Sequence, residues 1–226
     1  MGKSAFALNI ATNAAVQAKV PVVIFNLEMS KSQLVNRILC SEAMVDSNKI
    51  RTGKIEEDDW VKLATALGPL SEAPIYIDDT PGITVTEIRA KCRKLKLEKN
   101  IGLIVIDYLQ LLKSKNKFGN REQEVADISR RLKLLTKKLD IPIVALCQLN
   151  RETEKRKTPI LADLRESGSL EQDADNVIFL YIADDEKNKS KIINIDVIVA
   201  KQRNGPTGTV RIEFNKKQMK FENVGG

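Results

Sequence analysis

The sequence predicts an α/β fold built on a mainly parallel central sheet, on three observations. Apolar runs of strand length alternate with helix-like segments, the pattern of an α/β domain. Several of those runs are continuous and rich in β-branched residues, as strands buried on both faces are. Gly2-Lys3-Ser4 also stands directly before the helix-forming run Ala5-Phe6-Ala7-Leu8-Asn9-Ile10-Ala11. That is how a phosphate-binding loop enters its helix.

The elements follow in order. A helix is expected from Ser4 to about Lys19, then a strand from Val20 to Leu27, with Pro21 tolerable at its start. Ser30 caps a helix running to about Val45. Glu56 to Leu67 reads as a helix that Gly68-Pro69 stops, and Ile75 to Asp78 as a short strand. Thr84, with Glu87 three positions on, forms a capping box for a helix ending near Asn100. Ile101 to Asp107 is a buried strand ending in a carboxylate. A basic polar loop, Lys113 to Asn120, leads into a helix from Arg121 to Leu139 and a buried strand from Ile141 to Leu146. Arg151 to Gly168 is irregular and highly charged. Strands Asn176–Ile182 and Ile192–Ala200 flank a solvated turn around Asp184 to Lys189. Gly205-Pro206-Thr207-Gly208 turns into Thr209–Phe214, and Met219 to Phe221 closes a C-terminal β-hairpin. No repeat and no linker divides the chain, so one domain over residues 1–226 is expected.

Composition narrows the chemistry. At 226 residues and 42% hydrophobic content the chain can bury one sizeable core. No apolar stretch approaches the roughly 20 residues of a membrane span. The N-terminus lacks the pattern of a secretory signal. Cys40, Cys92 and Cys147 are odd in number and scattered, which fits a reducing compartment. A cytoplasmic protein is expected. The chain has no histidine, which excludes histidine acid–base chemistry and histidine-ligated zinc. What is left (carboxylates, lysines, arginines, hydroxyls and a bound metal) is the set that phosphoryl transfer uses. A net charge of +7 suits a polyanionic partner, although many soluble proteins are mildly basic.

Gly2-Lys3-Ser4 alone carries little, since chance supplies such a tripeptide in roughly one chain in ten of this size. A second element strengthens it. Asp107 closes the buried run Ile101–Ile106, at the strand end where open α/β sheets bind ligands. An acid there can position Mg²⁺ and its water, and a buried strand ending in a turn aspartate would look the same. Glu28, after the strand Val20–Leu27, fits either a base that polarises an attacking water or an acid beside a helix N-terminus. Gln148 fits a group touching a γ-phosphate or a polar residue leaving a sheet. The loop Asp163 to Ser169 offers glycine, hydroxyls and Arg165 to a nucleic-acid phosphate. Lys201 and Arg203 lie one residue apart on an extended segment, so both can face one phosphate.

Five stretches together make the chain resemble the C-terminal motor domain of DnaB-type replicative DNA helicases. They are Phe25-Asn26-Leu27-Glu28-Met29-Ser30, Ile77 to Ile83, Ile106-Asp107-Tyr108-Leu109-Gln110-Leu111, Asp163 to Asp175 and Ala200 to Gly205. The likeness runs from Met1 to about Asn223. It implies a RecA-like three-layer P-loop NTPase core and a homo-hexameric ring that moves along single-stranded DNA using ATP and Mg²⁺. It assigns nucleotide binding to Gly2, Lys3 and Ser4, metal positioning to Ser4 and Asp107, and water activation to Glu28. Gln148 matches a nucleotide-state sensor, and Lys201 and Arg203 match a pair reaching the next subunit's ATP. Arg165, Glu166 and Gly168 match a loop contacting the DNA backbone. Primase and a helicase loader are the partners the resemblance implies for a full-length member.

The sequence departs from that pattern in two ways. Residues 1–226 lack the N-terminal domain and linker helix of such proteins, and lack the first motor strand with the front of the phosphate loop. That strand is internal in RecA-like sheets, so two neighbours are expected to carry unpaired backbone unless another segment closes the gap. Residues 1–226 alone are expected to hydrolyse ATP poorly. The alternative function is a catalytically impaired RecA-like fragment that binds DNA or assembles with intact subunits. A recombination or clock ATPase is the third possibility, and the stretches Asp163–Asp175 and Ile77–Ile83 favour the helicase over it.

Overall fold

A computed structural model describes residues 2–114, 119–149, 158–182 and 191–225, without the side chains of 165–168. Seven α-helices and eight strands are assigned among them. Helix α1 (Lys3–Val16) starts at Gly2, whose φ of 88° suits a residue without a Cβ. Strand β1 (Val22–Asn26) is buried along its length. Helix α2 (Lys31–Ala43) opens on a capping box between Ser30 and Gln33 and ends at Met44 in a left-handed turn. Helix α3 (Ser47–Thr52), capped by Asp46, is short, polar and without apolar periodicity, so sequence pattern did not anticipate it.

Helix α4 (Glu57–Glu72) corrects the expectation of a stop at Gly68-Pro69: Pro69 lies inside it. A residue before proline normally avoids the helical region because its Cβ meets the ring. Gly68 has no Cβ, so the helix continues for another turn. Strand β2 (Ile75–Asp78) and helix α5 (Val85–Lys99), with its Thr84–Glu87 capping box, fall where expected. Strand β3 (Leu103–Asp107) ends at the carboxylate, helix α6 (Arg121–Leu139) follows, and strand β4 (Ile143–Ala145) is shorter than its apolar run. A 3-10 segment (Leu161–Ser167) occupies the end of the stretch expected to be irregular, and helix α7 (Gly168–Asp173) follows it where no helix was expected. Strands β5 (Asn176–Tyr181), β6 (Ile192–Gln202), β7 (Gly208–Asn215) and β8 (Lys220–Asn223) complete the chain. The solvated turn expected at Asp184 to Lys189 and the irregular stretch Arg151–Lys157 lie outside the described residues.

The first sheet has the order β2-β1-β3-β4 and is parallel throughout. Strand alternation sends successive side chains to opposite faces. Val23 and Phe25 of β1 and Ile104 and Ile106 of β3 pack with α5 and α6 through Ile88, Cys92, Ile128 and Leu132. Val22, Ile24, Leu103 and Val105 pack on the other face with Ala7, Leu8, Ala11 and Ala15 of α1 and Leu34 and Ile38 of α2. This gives three layers. The alanine stripe of α1 lets that helix lie close to the sheet.

The C-terminal hairpin belongs to a second, antiparallel sheet of order β5-β6-β7-β8. It packs on the start of α1 through Ala5, Ile193, Ile195 and Phe214. Phe221 meets Phe6 edge-on at 5.2 Å and stacks on Phe214 at 4.3 Å. Among the described residues β4 is hydrogen-bonded only to β3 and β5 only to β6, so each is an edge strand.

Candidate active site

The α1 face of the first sheet carries polar groups at its strand ends. Along β3 the side chains on that face are Leu103, Val105 and then Asp107; along β1 they are Val22, Ile24 and then Asn26. Asn26 and Asp107 are direct partners in the β1–β3 register. The sheet's alternation therefore sets an amide beside a carboxylate, under the N-terminal end of α1.

Asp107 is buried at 6% exposure, with the Ser4 hydroxyl beside it favouring its charged form. Burial raises its carboxyl above the ordinary range, and the nearby Glu28 charge raises it further. Ser4, Lys3 and Arg37 of α2 oppose that rise. Burial also lowers the pKa of the Lys3 ammonium, against the pull of Asp107 and Glu28. The Lys3 Nζ donates to the backbone carbonyl of Cys147 at 3.0 Å. Glu28 is exposed, and its backbone N–H donates to Asn26 Oδ1.

Gln148 is exposed just beyond β4. Its backbone is held by Gln110: Gln110 Nε2 donates to the Gln148 carbonyl at 3.1 Å, and the Gln148 N–H donates to Gln110 Oε1 at 3.4 Å. Gln110 Nε2 also lies 2.9 Å from Cys147 Sγ. The fold thus brings Lys3, Ser4, Glu28, Asp107 and the backbone leading into Gln148 together. Sequence reasoning did not single out Arg37, Gln110 or the Cys147 carbonyl. Gln110 sits in the stretch Ile106–Leu111, three residues after Asp107, and that spacing was the one available signal.

Lys201 and Arg203 lie elsewhere, at the end of β6. The Lys201 Nζ donates to the carbonyls of Glu171 and Ala174, at 2.6 and 2.8 Å, at the C-terminus of α7. Arg203 pairs with Asp175 at 3.2 Å, and its N–H donates to the Asp175 carbonyl. Lys133 is hydrogen-bonded to the same carboxylate, and with Arg203 it holds the Asp175 pKa below the usual range. Both residues thus engage the segment that joins α7 to β5. The backbones of Arg165, Glu166 and Gly168 lie in the 3-10 segment and at the start of α7, while the side chains of Arg165 and Glu166 are outside the described residues.

A lysine and a hydroxyl at a helix N-terminus, facing an acid at the end of a parallel strand, define a P-loop nucleotide-binding core. The chain belongs to the DnaB-like helicase C-terminal domain family, whose pattern matches residues 1–223. It is 53% identical over 231 residues to the replicative DNA helicase DnaB of Geobacillus stearothermophilus, covering 99% of this chain and 50% of that protein. Its identity to the replicative DNA helicase DnaC of Bacillus subtilis is also 53%, over 229 residues, with the same coverage. The chain spans about half the length of these curated relatives. A solved DnaB-like replicative helicase, described with its interactions with primase, superposes with a TM-score of 0.92 at 38% identity. That match covers 99% of this chain and 55% of the other. A solved ATPase domain superposes equally well, with the same TM-score and identity over 99% of this chain and 81% of its own length. The RecA-like expectation for the fold therefore holds.

Proposed function

We propose that this chain is the ATP-hydrolysing motor of a replicative DNA helicase, assembling as a homo-hexameric ring that translocates on single-stranded DNA and unwinds duplex. The observation carrying this is the convergence of Lys3, Ser4, Glu28 and Asp107 at the strand ends beneath the start of α1. ATP and Mg²⁺ suit the groups present. Among the described residues no three carboxylates or thiols cluster as a metal cage. A single carboxylate with a serine hydroxyl is the donor set of a cation that also takes phosphate oxygens. A buried carboxyl with a raised pKa is one that a cation would relieve.

Lys3, with the backbone at Gly2, holds phosphate oxygens, and Ser4 and Asp107 hold Mg²⁺. When bound, Mg²⁺ neutralises charge developing on the phosphates. Glu28 accepts a proton from the attacking water. Gln148 touches the terminal phosphate and carries its presence through the backbone that Gln110 holds. Lys201 and Arg203 serve the neighbouring subunit's nucleotide, and Arg165, Glu166 and Gly168 hold the DNA backbone. In the longer protein, primase and a loader are the protein partners.

Glu28→Gln, made in a subunit with the whole phosphate loop, tests this. Nucleotide affinity should change less than about threefold while turnover falls by at least about a hundredfold, because only proton transfer is lost. Retention of most of the turnover would return Glu28 to the role of an acid at a helix N-terminus.

A further inference from the structure

We infer that Asn26 is the positioning residue for Glu28, and so sets the turnover rate without binding nucleotide itself. The inference rests on the role proposed for Glu28. Asn26 is the last residue of β1 and is 1% exposed. Its Oδ1 accepts two backbone N–H groups in the turn that follows, from Glu28 at 3.0 Å and from Met29 at 2.8 Å. An asparagine side chain that captures N–H groups two and three positions on replaces a backbone turn. Here it fixes the peptide on either side of the Glu28 Cα, which sets the direction in which the carboxylate leaves the chain. The register ties the turn to the metal-positioning acid as well. Asn26 faces Asp107 across the β1–β3 ladder, and the Leu27 N–H donates to the Asp107 carbonyl at 2.8 Å. The distance between Glu28 and Asp107 is therefore built through Asn26.

A purely structural role accounts poorly for this amide. Its Nδ2 is buried with no hydrogen-bond partner among the described residues. Such a donor is costly to bury, and an acceptor side chain without an amide donor would hold the Glu28 and Met29 N–H groups without that cost. Local rules broken at a stability cost concentrate at functional sites. Asn26 is also not interchangeable with the cap of α2, which Ser30 and Gln33 make independently.

The experiment compares Asn26→Ala, Asn26→Ser, Glu28→Gln and the Asn26→Ala/Glu28→Gln pair in the complete hexameric subunit. Steady-state ATP hydrolysis, nucleotide affinity and thermal unfolding are measured for each. Asn26→Ala should lower kcat about tenfold to a hundredfold, the scale of a misplaced reacting group, with KM for ATP changed less than about threefold. Asn26→Ser, whose hydroxyl accepts in the same kind of turn, should recover most of that loss. On the Glu28→Gln background, Asn26→Ala should add no further loss. Serine falling as far as alanine, KM rising in step with the fall in kcat, or a further loss on the Glu28→Gln background would each overturn the inference. If Asn26→Ala is too unstable to assay, the serine variant decides alone: a kcat within about threefold of the parent at unchanged KM supports it, and a parallel loss of kcat and affinity overturns it. Should Glu28→Gln itself keep its turnover, the role assigned to Glu28 has failed. Should only Asn26→Ala keep it, the positioning role alone has failed.

Discussion

Asp107 has a lysine, an arginine, a hydroxyl and a second carboxylate around it, at 6% exposure. Because its folded pKa is raised, the folded protein holds this proton more tightly than the unfolded chain does. The group therefore favours the fold below the ordinary carboxylate value of about 3.9, and that contribution is lost as pH rises through the raised folded value. At neutral pH the buried charge is a net cost. Asp107→Asn keeps an acceptor for Ser4 and removes the charge. It is expected to stabilise the nucleotide-free protein by about 0.5–2 kcal/mol at pH 7, while hydrolysis in the complete subunit is lost. Unfolding curves from pH 7 to pH 4 check this: the advantage of the variant should shrink as pH falls. A pH-independent difference, or a loss of stability at pH 7, would refute it. Lys3, Ser4 and Asp107 were legible because each is a chemically distinctive residue at a helix or strand end. Gln110 was not, because its task is to hold the backbone of Gln148, 38 positions away, and a backbone group has no signature in a sequence.

Among the elements, α1 does two jobs. One face packs on the parallel sheet, while its first two turns receive the antiparallel sheet. Asn9 pins that junction. It is buried, its Nδ2 donates to the carbonyls of Ala5 and Met219, both at 3.0 Å, and its Oδ1 accepts the Phe221 N–H at 2.9 Å. Asn9→Ala leaves the Phe221 N–H without its acceptor and the Met219 carbonyl with only the Ser41 hydroxyl at 3.5 Å, and should cost about 2–4 kcal/mol. Asn13→Ala, one turn on and exposed, should stay within about 0.5 kcal/mol. Urea unfolding of the two variants separates them, and equal midpoints would remove Asn9 from this role. In sequence, Asn9 looked like a minor interruption of an alanine-rich helix. Its partners lie 210 and 212 residues away, so only the packed junction reveals it. The same distance problem hid the engagement of Lys201 and Arg203 with the α7–β5 segment. Their spacing where β6 ends was legible; the carbonyls and carboxylate they meet were not.

At the scale of the whole molecule, a net charge of +7 favours a polyanion, and phosphate contacts carry no sequence information. Binding of the proposed ring to single-stranded oligonucleotides should therefore tolerate sequence and weaken steeply with salt. Arg165→Ala should reduce the slope of log affinity against log salt by about 0.7–1, the share of one single-strand phosphate contact. An unchanged slope would remove Arg165 from the interface.

The sequence by itself determined the α/β class, nearly every helix and strand, and that Lys3, Ser4, Glu28 and Asp107 stand at helix and strand ends. These follow from local rules: 3.6- and 2-residue periodicity, caps at Ser30 and Thr84, and apolar runs that only a doubly covered sheet buries. Only the tertiary structure decided that the last four strands form a separate antiparallel sheet seated on α1, that α4 runs through Pro69, and that Asn26, Asp107 and Ser4 share one face. Those outcomes depend on contacts between residues far apart in the chain, whose free energy comes from burial and register and leaves no mark on local composition.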